Sequence, residues 1–240
     1  MSAVTGAKPI VSSAASSDRY ERIYVWELPV RIFPWINAAC VSVLFATGLY
    51  IYHPVLTGIG EPWEVFVMAR VRQIHFTAAF IFIVVFMWRI VWFWVGNEHA
   101  RSGFPYVWRA EWWKDLLSQA WGYMRLDFGR PHLGHNALAG LSYTIFVIGL
   151  GWGQILTGLA MYSESSPGGF WDGLVGWIIP LLGGSMRTHA WHHLFAWGFV
   201  CFVIIHIYIV MLDSRQYRNG LVGSMITGNK FRRARPGDDA

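Results

Sequence analysis

Four stretches of this 240-residue chain, residues 33–52, 75–95, 138–161 and 190–212, are apolar and almost free of charge over 20 or more positions each. About 20 such residues span the hydrocarbon core of a bilayer as a helix. An isolated strand could not satisfy its backbone there, so the expected fold is all-α: a bundle of four transmembrane helices. The composition agrees, because only 14% of residues are charged where a soluble domain has about 25%.

A fifth apolar run, Leu174 to Leu182, contains Pro180 and is too short to span; it is expected at the interface, between Gly176 and the Gly183-Gly184 pair. Residues 1–19, rich in Ala and Ser at first, read as a disordered tail and 231–240 as a polar one, leaving 20–230 as the membrane domain. Cys40 and Cys201 stand singly in apolar runs without metal-binding spacing and read as small packing residues.

The net charge of +5 has a positional rather than a nucleic-acid meaning. Of the 19 Lys and Arg residues, 16 lie before the first helix, in the second loop with the end of helix two, or after the fourth helix; Arg70, Arg72 and Arg187 lie on the other side. That asymmetry predicts both termini and the second loop in the cytoplasm. His75 and His192 then fall near the outer face of the membrane and His206 near the inner one.

Ionisable side chains inside a bilayer are costly, and each asks for a partner. His192 and His206 are 14 residues apart, a rotation about 40° short of four turns and a rise of about 21 Å. They share one face of helix four, the spacing that stacks two haems through a bundle. Two axial imidazoles suit an electron carrier, since they leave the iron no open position. His75, at the outer end of helix two, is the natural partner of His192. His193 lies off this stripe and, with His189, is expected toward the outer loop, within reach of a haem propionate.

Arg89 follows His75 by 14 residues and so lies on the same face about 21 Å deeper. It is a candidate for an inner haem propionate or a quinone head group, with snorkelling to the cytoplasmic surface as the plainer alternative. His53, His99, His132 and His135 fall at helix ends or in loops; the last two lie on the side where a proton-coupled quinone site could be built. Gly140, Gly149, Gly151, Gly153 and Gly158 make helix three a surface for close approach by a helix or a flat cofactor.

Several ordered segments carry a resemblance: Tyr24-Val25-Trp26-Glu27-Leu28-Pro29-Val30-Arg31, Gly134-His135-Asn136, Thr157-Gly158-Leu159-Ala160-Met161-Tyr162, Gly176 to Gly183, and Trp191-His192-His193-Leu194. Together, across residues 20–230, they resemble the b-type cytochrome subunit of membrane-bound nickel–iron hydrogenases. The resemblance implies a dihaem anchor in the bacterial inner membrane that takes electrons from the small subunit of a periplasmic hydrogenase dimer and passes them to quinone. It implies His75 and His192 as ligands of an outer haem b, and His206 with a helix-one histidine as ligands of an inner one. At that helix-one position this chain has Pro34, which offers iron no lone pair. One haem is therefore expected, and the second lacks a complete ligand pair. Proline in the first turn of a helix loses no hydrogen bond, so the change is expected to be structurally cheap.

Three other readings are compatible with these residues: a haem b anchor of another periplasmic oxidoreductase of formate dehydrogenase or thiosulfate reductase type, a haem-free transporter using the histidines as a relay, and a structural anchor. Hydrogen chemistry in the chain itself is not expected, for want of a thiolate cluster to hold nickel and iron.

Overall fold

The computed structural model describes residues 20–55, 66–101, 104–125, 136–217 and 221–233. Strand β1 (Tyr20–Tyr24) precedes helices α1 (Leu28–Tyr52), α2 (Val67–Val95) and α3 (Ala110–Met124). Then come α4 (Ala137–Ser163), α5 (Phe170–Val175), α6 (Ile178–Leu181), α7 (Ser185–Tyr217), α8 (Leu221–Thr227) and strand β2 (Asn229–Arg233). Helices α1, α2, α4 and α7 are each long and apolar enough to cross a membrane. Val84, Trp94, Ile204 and Tyr208 are all more than half exposed, an apolar outer surface suited to lipid rather than water.

The helices pack as two hairpins, α1 on α2 and α4 on α7. Three of the four begin five to eight residues before their apolar stretch, at 28, 67 and 185 rather than 33, 75 and 190. Hydropathy registers only the hydrocarbon-length portion, whereas hydrogen bonding continues through the polar first turns that carry Arg31, Arg70 and Arg187. One expectation is corrected as a result. Pro29 occupies the start of α1, and Pro34 lies inside the helix rather than in its first turn. Lacking an N–H, Pro34 leaves the carbonyl four residues earlier without its helical donor. In α4, Tyr143–Gly149 form a wide π-helical stretch.

At one end of the bundle the two terminal segments are tied together. Strands β1 and β2 pair antiparallel from Tyr20↔Arg233 to Tyr24↔Asn229, so both lie on the same side. The amides of Val25 and Trp26 both donate to the carbonyl of Gly228 (2.9 and 3.0 Å), whose φ of +80° favours glycine. The Glu27 carboxylate accepts from Trp92 Nε1 (3.0 Å) and the Asn97 amide (3.1 Å), and Asn97 donates back to Val25. Lys230, only 4% exposed, stands over the Trp26 ring at 5.2 Å, and burial pushes its ammonium down to about 8 against the opposing charge of Asp213. Helix α3 closes this end: Gln119 accepts from the Leu138 amide, and Asn136, which caps α4, donates to Tyr123.

At the opposite end, α5 and α6 cover α4. Val175 and Ile178 are buried with Ala160, while Phe170, Leu174, Trp177 and Leu181 are exposed on the other side. Apolar character on both faces suits an element lying between bundle and lipid. Cys40 belongs to the central core, but Cys201 is exposed, so only the first is a packing residue. The tail expected at 231–240 begins as strand, since 231–233 belong to β2; its remainder, the tail expected at 1–19, and His132 and His135 lie outside the described residues.

Candidate functional site

The half of the bundle away from the β1–β2 sheet contains a cavity of about 440 Å³ between the two hairpins, within the range of cofactor pockets. Its walls are residues 41–51 of α1, 72–83 of α2, 154–162 of α4 and 189–200 of α7. Beneath it, Phe82, Phe86, Ile155, Phe199 and Cys40 form the buried apolar core that separates the two halves.

His75 on α2 and His192 on α7 line this cavity from different hairpins and lie within electrostatic range of each other. Each imidazole is seated by a threonine on the neighbouring helix of its own hairpin. Thr47 Oγ1 lies 2.8 Å from His75 Nδ1, and Thr157 Oγ1 lies 2.9 Å from His192 Nδ1. Both hydroxyls donate their hydrogen to a carbonyl one turn earlier, Val43 and Gly153, at 2.6 Å. With its hydrogen so used, each threonine accepts from an Nδ1–H, and His75 is hydrogen-bonded to the Leu44 carbonyl as well. That leaves both Nε2 atoms as lone-pair donors, the state needed to ligate a metal. The rings rest on glycines: a Cβ at Gly48 would stand 3.5 Å from His75 Cε1, and one at Gly158 3.2 Å from His192 Cε1.

Arg72, His189 and His193 also line the cavity, close to the helix ends. His189 and His193 donate from Nδ1 to carbonyls of Ser185 and His189, and the His193 ring lies 4.7 Å from Tyr52. Both contribute to the wall of the cavity. Gln154 presents to the same cavity a carboxamide whose buried oxygen has no hydrogen-bond partner among the described residues.

The other candidates lie elsewhere. His206 is in the sheet-end half, stacked on Phe202 at 5.4 Å, which in turn stacks on Phe146 at 5.2 Å. Arg89 lies over the Tyr143 ring at 5.2 Å and donates to the Ala100 carbonyl at 3.3 Å, toward the sheet end. Neither lines the cavity. His53 caps α1, and His99 sits in the short turn Glu98–Arg101. Among the helix-three glycines, Gly151 admits the Phe86 ring and Gly153 the Phe195 ring, so these two serve helix packing.

The sequence profile of the prokaryotic cytochrome b561 family matches residues 25–228. The chain belongs to that family. A relative from Azotobacter chroococcum named "Probable Ni/Fe-hydrogenase B-type cytochrome subunit" is 38% identical over 219 residues, covering 89% of this chain and 91% of its own. One of the same name from Cupriavidus necator is 38% identical over 221 residues, with 90% of each covered. The "Probable Ni/Fe-hydrogenase 1 B-type cytochrome subunit" of Escherichia coli is 34% identical over 228 residues, 88% and 92% of the two chains.

Membership of the b561 family makes this a multi-pass membrane cytochrome, and the residues present fit haem b. They provide two imidazoles from opposed hairpins, each with Nδ1 beside a threonine hydroxyl, an apolar slot, and Arg72 with two further imidazole rings in its wall, groups that could pair with carboxylates. Sequence reasoning found the two histidines and missed Thr47, Thr157 and Gly48. Their signal was a Thr-Gly-Leu triplet occurring once in α1 and once in α4.

Proposed function

We propose that this chain is the haem b electron-transfer subunit and membrane anchor of a nickel–iron hydrogenase, passing electrons from a periplasmic hydrogenase dimer to the quinone pool. The carrying observation is the pair His75 and His192, one on each hairpin, both with Nδ1 engaged and Nε2 free. In this reading they are the axial ligands of one haem b, with Arg72, His189 and His193 toward its propionates. Haem held in this way supplies a one-electron couple closed to oxygen. The relatives' names support the hydrogenase as electron donor.

The orientation follows from charge: 16 of the 19 basic residues fall in the sequence segments before the first span, between the second and third spans with the end of the second, or after the fourth, so the sheet side is cytoplasmic and the cavity lies toward the periplasm. The membrane is the bacterial inner membrane. The inner half offers His206 and Arg89 for a second cofactor or a quinone head group. With Pro34 at the helix-one position and His206 stacked on Phe202, this reading assigns no inner haem.

The test is hydrogen-driven reduction. Membranes containing the chain and its hydrogenase should show a b-type absorption band under hydrogen, and the band should bleach when a quinone analogue is added. Co-purification of a nickel–iron dimer supports the anchor role. A colourless protein with proton-transport activity would replace the cytochrome reading with the relay, and co-purification of a molybdenum subunit would redirect it to another oxidoreductase.

A further inference from the structure

The two histidine seats are not merely alike; they are repeats of one two-helix unit. Helix α1 carries Thr47-Gly48-Leu49 followed by Tyr52, and α4 carries Thr157-Gly158-Leu159 followed by Tyr162 at the same spacing. Helix α2 carries His75 with Ala79-Phe80 four and five residues on, and α7 carries His192 with Ala196-Trp197. The contacts obey the same twofold relation. Within each unit threonine meets histidine, Thr47 with His75 and Thr157 with His192. Between units the tyrosines exchange partners: Tyr52 packs at 4.7 Å on His193, the residue after His192, and Tyr162 at 5.1 Å on Phe76, the residue after His75.

Resting on the haem reading above, we infer that Thr47 and Thr157 are twofold-related positioning residues that hold both axial imidazoles in one tautomer and lower the haem's reduction potential. Each hydroxyl accepts Nδ1–H, which raises the basicity of Nε2 toward iron. A more basic ligand favours the ferric over the ferrous state. Because each threonine has a helix carbonyl at 2.6 Å to take its own hydrogen, its oxygen is left to accept from the ring. The tautomer is thereby favoured by hydrogen bonding on both sides.

The experiment is an optical redox titration of the full-length purified protein and its Thr47→Val, Thr157→Val and doubly substituted variants. Valine keeps the branched shape and removes the acceptor. Each single change should favour ferrous haem about fivefold, the scale of one hydrogen bond. That is about 40 mV upward, given 59 mV per tenfold for one electron. The Thr157→Val shift should be the larger, because the Leu44 carbonyl still meets His75 in Thr47→Val, and the double variant should exceed either. Thr47→Ser and Thr157→Ser, which keep the hydroxyl, should titrate as wild type. If the valine variants lose haem, serine variants with wild-type haem content and potential support the hydroxyl's role, and serine variants that also lose haem overturn it. Wild-type haem with unshifted valine variants sinks this inference alone, and a shift on one side only refutes the paired role. Absence of haem from the wild-type protein sinks this inference and the functional reading together.

Discussion

The two halves of the bundle are built from the same four helices yet are prepared for different tasks. In the half away from the sheet, the hairpins stand apart around a cavity, and His75 and His192 are each seated by a threonine and a glycine. In the sheet-end half, Phe33 packs edge-on against Trp88, His206 lies on an aromatic stack, and Arg89 is held over Tyr143. A histidine in an apolar span is thus not a sufficient mark of a cofactor site. What separates His192 from His206 is a polar acceptor behind the ring and a cavity wall shared with the other hairpin, where His206 is exposed.

The largest effect that could break this contrast is at the ligands. His75→Ala and His192→Ala should each reduce haem per purified polypeptide by at least about tenfold, on the scale of lost metal-site interactions; His206→Ala should leave it unchanged. Pro34→His sharpens the comparison from the other side. Placing an imidazole at position 34 should not add a second haem, because His206 is stacked on Phe202 rather than seated on a polar acceptor, and pyridine haemochrome assay would count it.

Within the cavity half, the glycines differ in clearance. Gly158→Ala, with its added carbon 3.2 Å from His192, should lower haem occupancy several-fold, whereas Gly48→Ala, at 3.5 Å from His75, should have little effect. The smallest effect is expected at the sheet end. Glu27→Gln weakens two charge-assisted hydrogen bonds to Trp92 and Asn97, about 1–3 kcal/mol. It should lower the melting temperature by several degrees without changing haem content.

The four spans were legible because lipid demands a length and a composition that local sequence displays directly. The sheet was not: β1 and β2 are five residues each and pair across almost the whole chain, a separation that no local pattern reports. Helix α3 was missed because its apolar residues are interleaved with Glu111, Lys114 and Asp115, below any spanning threshold. His75 and His192 stood out as rare polar residues in apolar runs, but Thr47 and Thr157 did not. A threonine bonded to its own helix satisfies its hydroxyl and costs little in a membrane, so only the facing ring shows its role. Pro34 was read correctly as unable to bind iron and wrongly as a first-turn residue, since the polar turns preceding the apolar stretch gave no hydropathy signal.

The most direct test of the central claim, one haem held jointly by the two hairpins, is the haem-to-polypeptide ratio of the wild-type protein in mild detergent, read with its dithionite-reduced spectrum. The account predicts a b-type spectrum and one haem per chain. A ratio of zero would contradict the cytochrome reading, and a ratio of two would contradict the claim that only the cavity half is prepared for haem.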